Sequence, residues 1–272
     1  MSHNDIIEDT NFIQQIRAWL IARPKLFALG YLLALIASES ITVLIDPRAG
    51  IFFHGLILLV AMLLAALTSD QKGLRFLLPL ALPPLIRLLS LSLPLTSFNV
   101  IYWYAVIGVP LLIGTFLTIR ATGLSADLIG LRISWQELPL QVMIGLSGFI
   151  LGYIEYLILH PVPIVSMKGW ASVLLTALIL LVFTGFLEEL IFRGVMQSSA
   201  VEKLDKVGII FVALVFTVLH IGYRSVQDMI FVFSVAIIFG LLVFRFKTLL
   251  GVSIAHGLIN ISLYLIFPYL LM

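Results

Sequence analysis

The sequence predicts an all-α protein, a polytopic membrane bundle of about eight or nine transmembrane helices preceded by an interfacial helix. Three observations predict it. Of the 272 residues 61% are hydrophobic and 11% are charged, where a soluble domain carries roughly 25% charge. The mean hydropathy is +1.17 over the whole chain, too high for one buried core wrapped in a wetted surface. And apolar runs of membrane-spanning length, about 20 residues, recur from the N-terminal third to the C-terminus.

The elements follow in order. Residues 1–24 are the most polar stretch. Phe12, Ile16, Trp19 and Leu20 fall at helical spacing opposite Gln14, Gln15 and Arg17, and Pro24 closes the segment. That pattern suits an amphipathic helix lying in the membrane interface; for residues 1–9 a disordered tail reads equally well. Asp5, Glu8 and Asp9 stand where a signal peptide would carry positive charge, so no cleavable leader is expected. Spans are then expected at 25–45, 51–68, 74–95, 99–119, 139–160, 169–199, 206–223, 228–245 and 248–270. The third is interrupted by Pro79, Pro83, Pro84 and Arg87, and its loss would leave eight. The loop at 120–138 carries a short amphipathic piece, with Leu131, Ile133 and Trp135 alternating against Arg132 and Gln136, suited to the headgroup layer. The chain divides into the interfacial segment 1–24, N-terminal helices over 25–168 and a C-terminal helical core over 169–272.

From the N-terminal tail onward, successive loops, counted together with the outermost two residues of the adjoining spans, hold 3, 1, 2, 0, 2, 1, 2, 1, 2 and 0 Lys and Arg residues. Positive residues favour the cytoplasmic side, so the N-terminus is expected there and the C-terminus outside. A net charge of +2 leaves no footprint for nucleic acid, and the absence of cysteine removes disulfides, thiolate metal sites and a cysteine nucleophile. The partners expected are the lipid bilayer and whatever peptide or protein lies in it.

An ionisable side chain at span depth costs a few kcal/mol or more and calls for an explanation. Glu39 and Arg87 read as a structural pair across two helices, Glu155 as a carboxylate snorkelling from near a span end, and His54 as interfacial. The last hundred residues differ. Glu188 and Glu189 are adjacent, and Glu189 and Arg193 stand i,i+4, so they can pair along the helix while Glu188 turns about 100° away. Phe216 and His220 are i,i+4 on the next span, as are His256 and Asn260 on the last. At a rise of about 1.5 Å per residue, Glu188 lies roughly 16 Å from the cytoplasmic end of its span, His220 about 21 Å in, and His256 and Asn260 about 12 and 18 Å in. Glu, His, His and Asn therefore share a layer. Such a set suits amide hydrolysis, with Glu188 as general base, His220 as relay, and His256 and Asn260 as oxyanion donors. It equally suits a buried polar network that fixes packing or lines an ion path.

The strings EELIFRG at 188–194, FTVLH at 216–220 and HGLIN at 256–260 resemble three ordered signatures, E-E-x-x-x-R, F-x-x-x-H and H-x-x-x-N. They are those of the CAAX-protease and bacteriocin-processing group of glutamic intramembrane proteases, which includes the Ras-converting CAAX prenyl endopeptidases. The resemblance spans roughly 169–270. It implies Glu188 as the water-activating glutamate, His220 as its catalytic partner, His256 and Asn260 as residues that bind the oxyanion and position water, and Glu189, Arg193 and Phe216 in support. It implies no metal and no other cofactor. Eukaryotic relatives remove the last three residues after a prenylated cysteine at a site open to the cytosol, so a membrane-associated substrate, prenylated or not, is expected here. Two alternatives stand beside this. A zinc metalloprotease could use Glu188, His220 and His256 as ligands, although H-E-x-x-H is absent and Asn260 would be an unusual ligand. A scaffold or bacteriocin-immunity protein could bind peptides without cutting them.

Overall fold

The computed structural model describes residues 22–93, 98–164 and 169–271, so the interfacial helix expected at 1–24 lies, apart from its last three residues, outside the described residues. Among the described residues the chain is helical, without strands. The helices are α1 (Pro24–Leu44), α2 (Pro47–Leu67), α3 (Gln71–Ser92), α4 (Val100–Thr122), α5 (Leu138–Leu159), α6 (Trp170–Leu204), α7 (Val207–Val218), α8 (Val226–Phe246) and α9 (Leu250–Leu270). Among the described residues eight are long and apolar enough to cross a membrane.

The short one is α7, not α3. Helix α7 stops at Val218 and is prolonged only by a 3-10 turn, Ile221–Tyr223. The prolines of α3 do not break it, because Pro79 falls in the first positions of a 3-10 turn (Leu78–Ala81) and Pro83 in the first turn of the α-helical piece that follows. There the missing N–H groups have no helical partner to lose.

The helices run alternately up and down. Gln71 at the start of α3 donates to the Thr122 carbonyl at the end of α4, 2.7 Å, and Arg75 lies 3.7 Å from Glu202 at the end of α6. The loop after α4 crosses the α8–α9 junction at the same end: Leu249 N–H donates to the Gly130 carbonyl, and Arg132 donates to the carbonyls of Phe246 and Lys247. That loop is a run of turns and irregular residues, with Ile133 and Trp135 exposed. Lys72, Arg75, Arg132, Lys203, Lys206 and Lys247 gather at this end, whereas Arg48 and Arg224 stand at the other.

Helix α9 is gripped between α5 and α6 by close backbone approach. A Cβ at Gly148 of α5 would come within 2.2 Å of the Ala255 carbonyl oxygen, and one at Gly185 of α6 within 2.7 Å of both the Ser253 carbonyl oxygen and the Gly257 N. Small residues that let backbones touch are how helices associate where lipid is as apolar as leucine. Helix α6 is unusual in another way: π-helical stretches at Leu180–Phe186 and Leu190–Met196 flank a short α turn, Leu187–Glu189. Widened turns of this kind concentrate at functional sites.

Because Gly148 meets backbone, Gly148→Val is expected to push α5 off α9 and lower stability by about 1–3 kcal/mol, the usual cost of overpacking. Gly30→Val, on a glycine with nothing within 4 Å, should have little effect. Thermal unfolding midpoints of the two variants in detergent compare them; equal midpoints would refute the seam.

Candidate functional site: a carboxylate–histidine layer inside the bundle

Glu189 is the best-held ionisable group of the site. It is fully buried, and its Oε1 accepts from Arg193 Nη1 at 2.9 Å and from His256 Nδ1 at 2.8 Å. The i,i+4 pair expected from spacing is present, and the second donor comes from a helix 67 residues away in sequence. An anion buried in hydrocarbon is tolerated only when compensated in this way. Arg193 is held as firmly on its other side, with its guanidinium carbon 4.4 Å from the ring centroid of Phe216. Phe216 also packs against the imidazoles of His220 and His256, at 4.8 and 5.9 Å between ring centroids. Its place in the second motif is thus as the apolar hub that three polar side chains share.

The hydrogen bonds fix both imidazoles. Glu189 is paired to a guanidinium and acts as acceptor, so His256 donates through Nδ1 and turns Nε2 toward Glu188, whose Oε2 lies 3.9 Å away. His220 donates through Nδ1 to the Phe216 carbonyl, 3.0 Å, and leaves Nε2 as a free acceptor. Its ring stacks on Tyr223, whose hydroxyl meets that of Tyr264 at 2.7 Å. Asn260 donates through Nδ2 to Thr184 Oγ1, 3.0 Å, on the first π stretch of α6. That leaves the second amide hydrogen and the carbonyl of Asn260 for another partner.

Glu189, Arg193, Phe216, His220, His256 and Asn260 line one small cavity of about 50 Å³. Glu188 does not line it. Its half-buried side chain opens instead onto a neighbouring cavity of about 140 Å³ between α3, α4 and α6, and His256 bridges toward it. Arg193 in turn also lines a larger cavity of about 520 Å³ at the Lys- and Arg-rich end. Among the described residues no three His, Cys, Asp or Glu side chains converge as metal ligands would.

Two expectations need correction. Glu155 does not snorkel: it is 7% exposed and forms part of the wall of the His220–His256–Asn260 cavity. It stands one turn from the end of α5, but the glycines of α5 bring that helix onto α9 and turn the carboxylate inward. His54 is not interfacial. It is fully buried with Nε2 3.4 Å from Glu39, because α2 begins at Pro47, earlier than the apolar run suggested, and so takes His54 two turns deep. Glu39 and Arg87 do pair across α1 and α3. Arg87 also donates to the Leu219 carbonyl, an orphan acceptor at the end of α7 and one residue before His220. Sequence spacing holds no sign of that contact, of the Thr184–Asn260 bond or of the π stretches.

The fold and the site together define a multi-pass helical membrane protein with two neighbouring glutamates, two histidines and an asparagine brought to one layer inside the bundle. Residues 170–262, from the start of α6 into α9, match the family model of the Rce1-like type II CAAX prenyl endopeptidases, so the resemblance read from the three motifs is borne out over that stretch. No curated protein and no solved structure matches the chain.

Removing Arg193 would strip Glu189 of its guanidinium. Arg193→Leu is expected to cost about 3–5 kcal/mol, as breaking a buried pair from one side does. The double variant Glu189→Gln/Arg193→Leu should recover most of that, since no uncompensated charge remains. Chemical unfolding in detergent across the cycle measures the coupling, and additive losses would contradict it.

Proposed function

We propose that the protein is an intramembrane endopeptidase that hydrolyses a peptide bond near the C-terminus of a membrane-associated substrate by a glutamate-activated water. The observation that carries this reading is the division between two adjacent carboxylates: Glu189 is locked by Arg193 and His256, while Glu188 is open, without a guanidinium partner among the described residues and turned toward His256 Nε2. The similarity of residues 170–262 to CAAX prenyl endopeptidases supports it.

In this mechanism Glu188 takes a proton from water as the hydroxide oxygen bonds to the scissile carbonyl carbon. The carbonyl π electrons move onto oxygen, and the oxyanion is met by His256 and Asn260 Nδ2–H. With His256 protonated, the charges of Glu188, Glu189, Arg193 and His256 sum to zero, and Nε2 carries a hydrogen to offer. The intermediate then collapses: the C–N bond breaks, and the departing nitrogen takes the proton that Glu188 held, directly or through His220 Nε2. Glu189, Arg193 and Phe216 act on the reaction only by holding His256 and His220 in place. Glu188, His220, His256 and Asn260 are the catalytic residues of this reading.

The catalytic core is residues 169–272, served by the preceding helices. The concentration of Lys and Arg at the end where α6 finishes and α9 begins supports a cytoplasmic location for that end and for the N-terminus, and the 520 Å³ cavity there gives water a route toward Arg193. A prenylated CAAX-type peptide is the first substrate to test. Neither alternative gains a specific observation: the donor set does not converge on a metal position, and a binder needs no open carboxylate beside a tethered imidazole.

Purified protein in lipid vesicles, given a quenched prenylated CAAX peptide, is expected to cleave it in the presence of a strong chelator. Glu188→Ala should reduce kcat by roughly 10²–10⁴-fold. Full activity in that variant would refute the glutamate mechanism, chelator-sensitive cleavage would point to zinc, and the absence of cleavage by the unaltered protein would favour a binding role. Asn260→Ala should lower kcat by about 10²–10³-fold with little change in KM, the signature of a donor used in the transition state; a change confined to KM would remove Asn260 from the oxyanion site.

A further inference from the structure

The cavity onto which Glu188 opens is not apolar throughout. Its volume is about 140 Å³, and between the aliphatic side chains of α3, α4 and α6 it presents Arg87 and Tyr104 beside Glu188. A cavity of roughly this size takes up one small ring such as benzene, so it has room for the end of a chain and not for a folded segment. Arg87 is committed on two of its nitrogens, Nε to Glu39 and Nη2 to the Leu219 carbonyl. Its Nη1 has no hydrogen-bond partner among the described residues, nor has the Tyr104 hydroxyl. Ser90, the remaining polar side chain of the wall, is occupied by donating to the Arg87 carbonyl, 3.1 Å.

Two side chains with unspent donors, one of them cationic, thus line a cavity whose remaining wall is apolar apart from Ser90 and the proposed general base, Glu188. A half-buried guanidinium already gripped on one edge is pre-organised, so little side-chain entropy is lost when its other edge engages. The group such a place fits is a carboxylate attached to an apolar side chain: a guanidinium and a phenol both donate to a carboxylate, and the aliphatic walls take the side chain. A neutral amide would forfeit the charge-assisted part of that bonding.

We infer that the cavity between α3, α4 and α6 is a subsite for the free C-terminal carboxylate of the substrate, held by Arg87 Nη1 and the Tyr104 hydroxyl, so that the enzyme measures its cleavage site from the chain end. The inference rests on the peptidase reading above and adds to it the reason why cleavage would fall near a C-terminus. Arg87 also donates to the carbonyl that precedes His220, so the subsite adjoins the catalytic layer from the α3 side.

The test uses the full-length protein in vesicles and two prenylated peptides that differ only in ending as the free acid or as the amide. The unaltered protein is expected to cleave the acid with a kcat/KM at least about tenfold higher, mainly through KM. Tyr104→Phe, which leaves the Glu39–Arg87 pair untouched, should lower the acid rate several-fold and the amide rate less, so that the acid-to-amide ratio falls. Glu39→Gln/Arg87→Gln, which removes both charges together, should bring the ratio close to one. A ratio near one in the unaltered protein, with cleavage of both peptides abolished by Glu188→Ala, would overturn the subsite and leave the peptidase reading standing. A ratio that persists in both variants, or a loss equal on the two peptides, would also overturn it, the second because a purely structural role would slow both alike. Cleavage of neither peptide by the unaltered protein would remove the peptidase reading and this subsite with it.

Discussion

One oxygen atom organises the interior of this bundle. Oε1 of Glu189 accepts from a guanidinium one helical turn away and from an imidazole on the last helix, in a fully buried position. A carboxylate in hydrocarbon demands compensation, so α6 and α9 have little freedom to slide or rotate past each other. From that constraint the rest follows. His256 is fixed in one tautomer with Nε2 toward Glu188, Arg193 is fixed over Phe216, and Phe216 in turn supports His220. Glu188, next in sequence to Glu189, is left as the carboxylate of the site without a guanidinium partner among the described residues.

The packing around this oxygen is built to keep the helices close. Gly148 and Gly185 let α5 and α6 touch the backbone of α9 on either side, which sets the distance over which His256 reaches Glu189. The π stretches that flank Glu188 and Glu189 widen α6 at the same level, and Thr184 within the first of them meets Asn260. A second ionic centre, made by Glu39, His54 and Arg87, lies outside the match to the endopeptidase family yet bonds the carbonyl next to His220. The N-terminal helices therefore do more than fill the membrane; they close the side of the site that faces α3 and α4.

Much of this could be read from the chain. The helices fall where apolar length put them, Glu189 pairs with Arg193 because i,i+4 residues share a helix surface, and Glu39 meets Arg87 because a charge in a membrane seeks its opposite. What could not be read is governed by contacts that spacing does not encode. His54 and Glu155 looked peripheral because their depth was judged from the ends of apolar runs, whereas α2 begins at Pro47 and α5 is drawn inward by its glycines. Where α7 ends, the Leu219 carbonyl is taken by Arg87, a partner 132 residues away. π-helical turns leave the residue pattern almost unchanged, and the separation of Glu188 from the cavity of His220 and Asn260 depends on side-chain direction across three helices.

The central claim is the division of labour between adjacent glutamates, and the most direct measurement is a comparison of Glu188→Gln with Glu189→Gln for both unfolding midpoint and cleavage rate. The account predicts that Glu188→Gln keeps the midpoint of the unaltered protein and loses the chemical step, while Glu189→Gln lowers the midpoint and retains measurable turnover. A Glu188→Gln variant that cleaves normally, or a Glu189→Gln variant that is fully stable and wholly inactive, would contradict it.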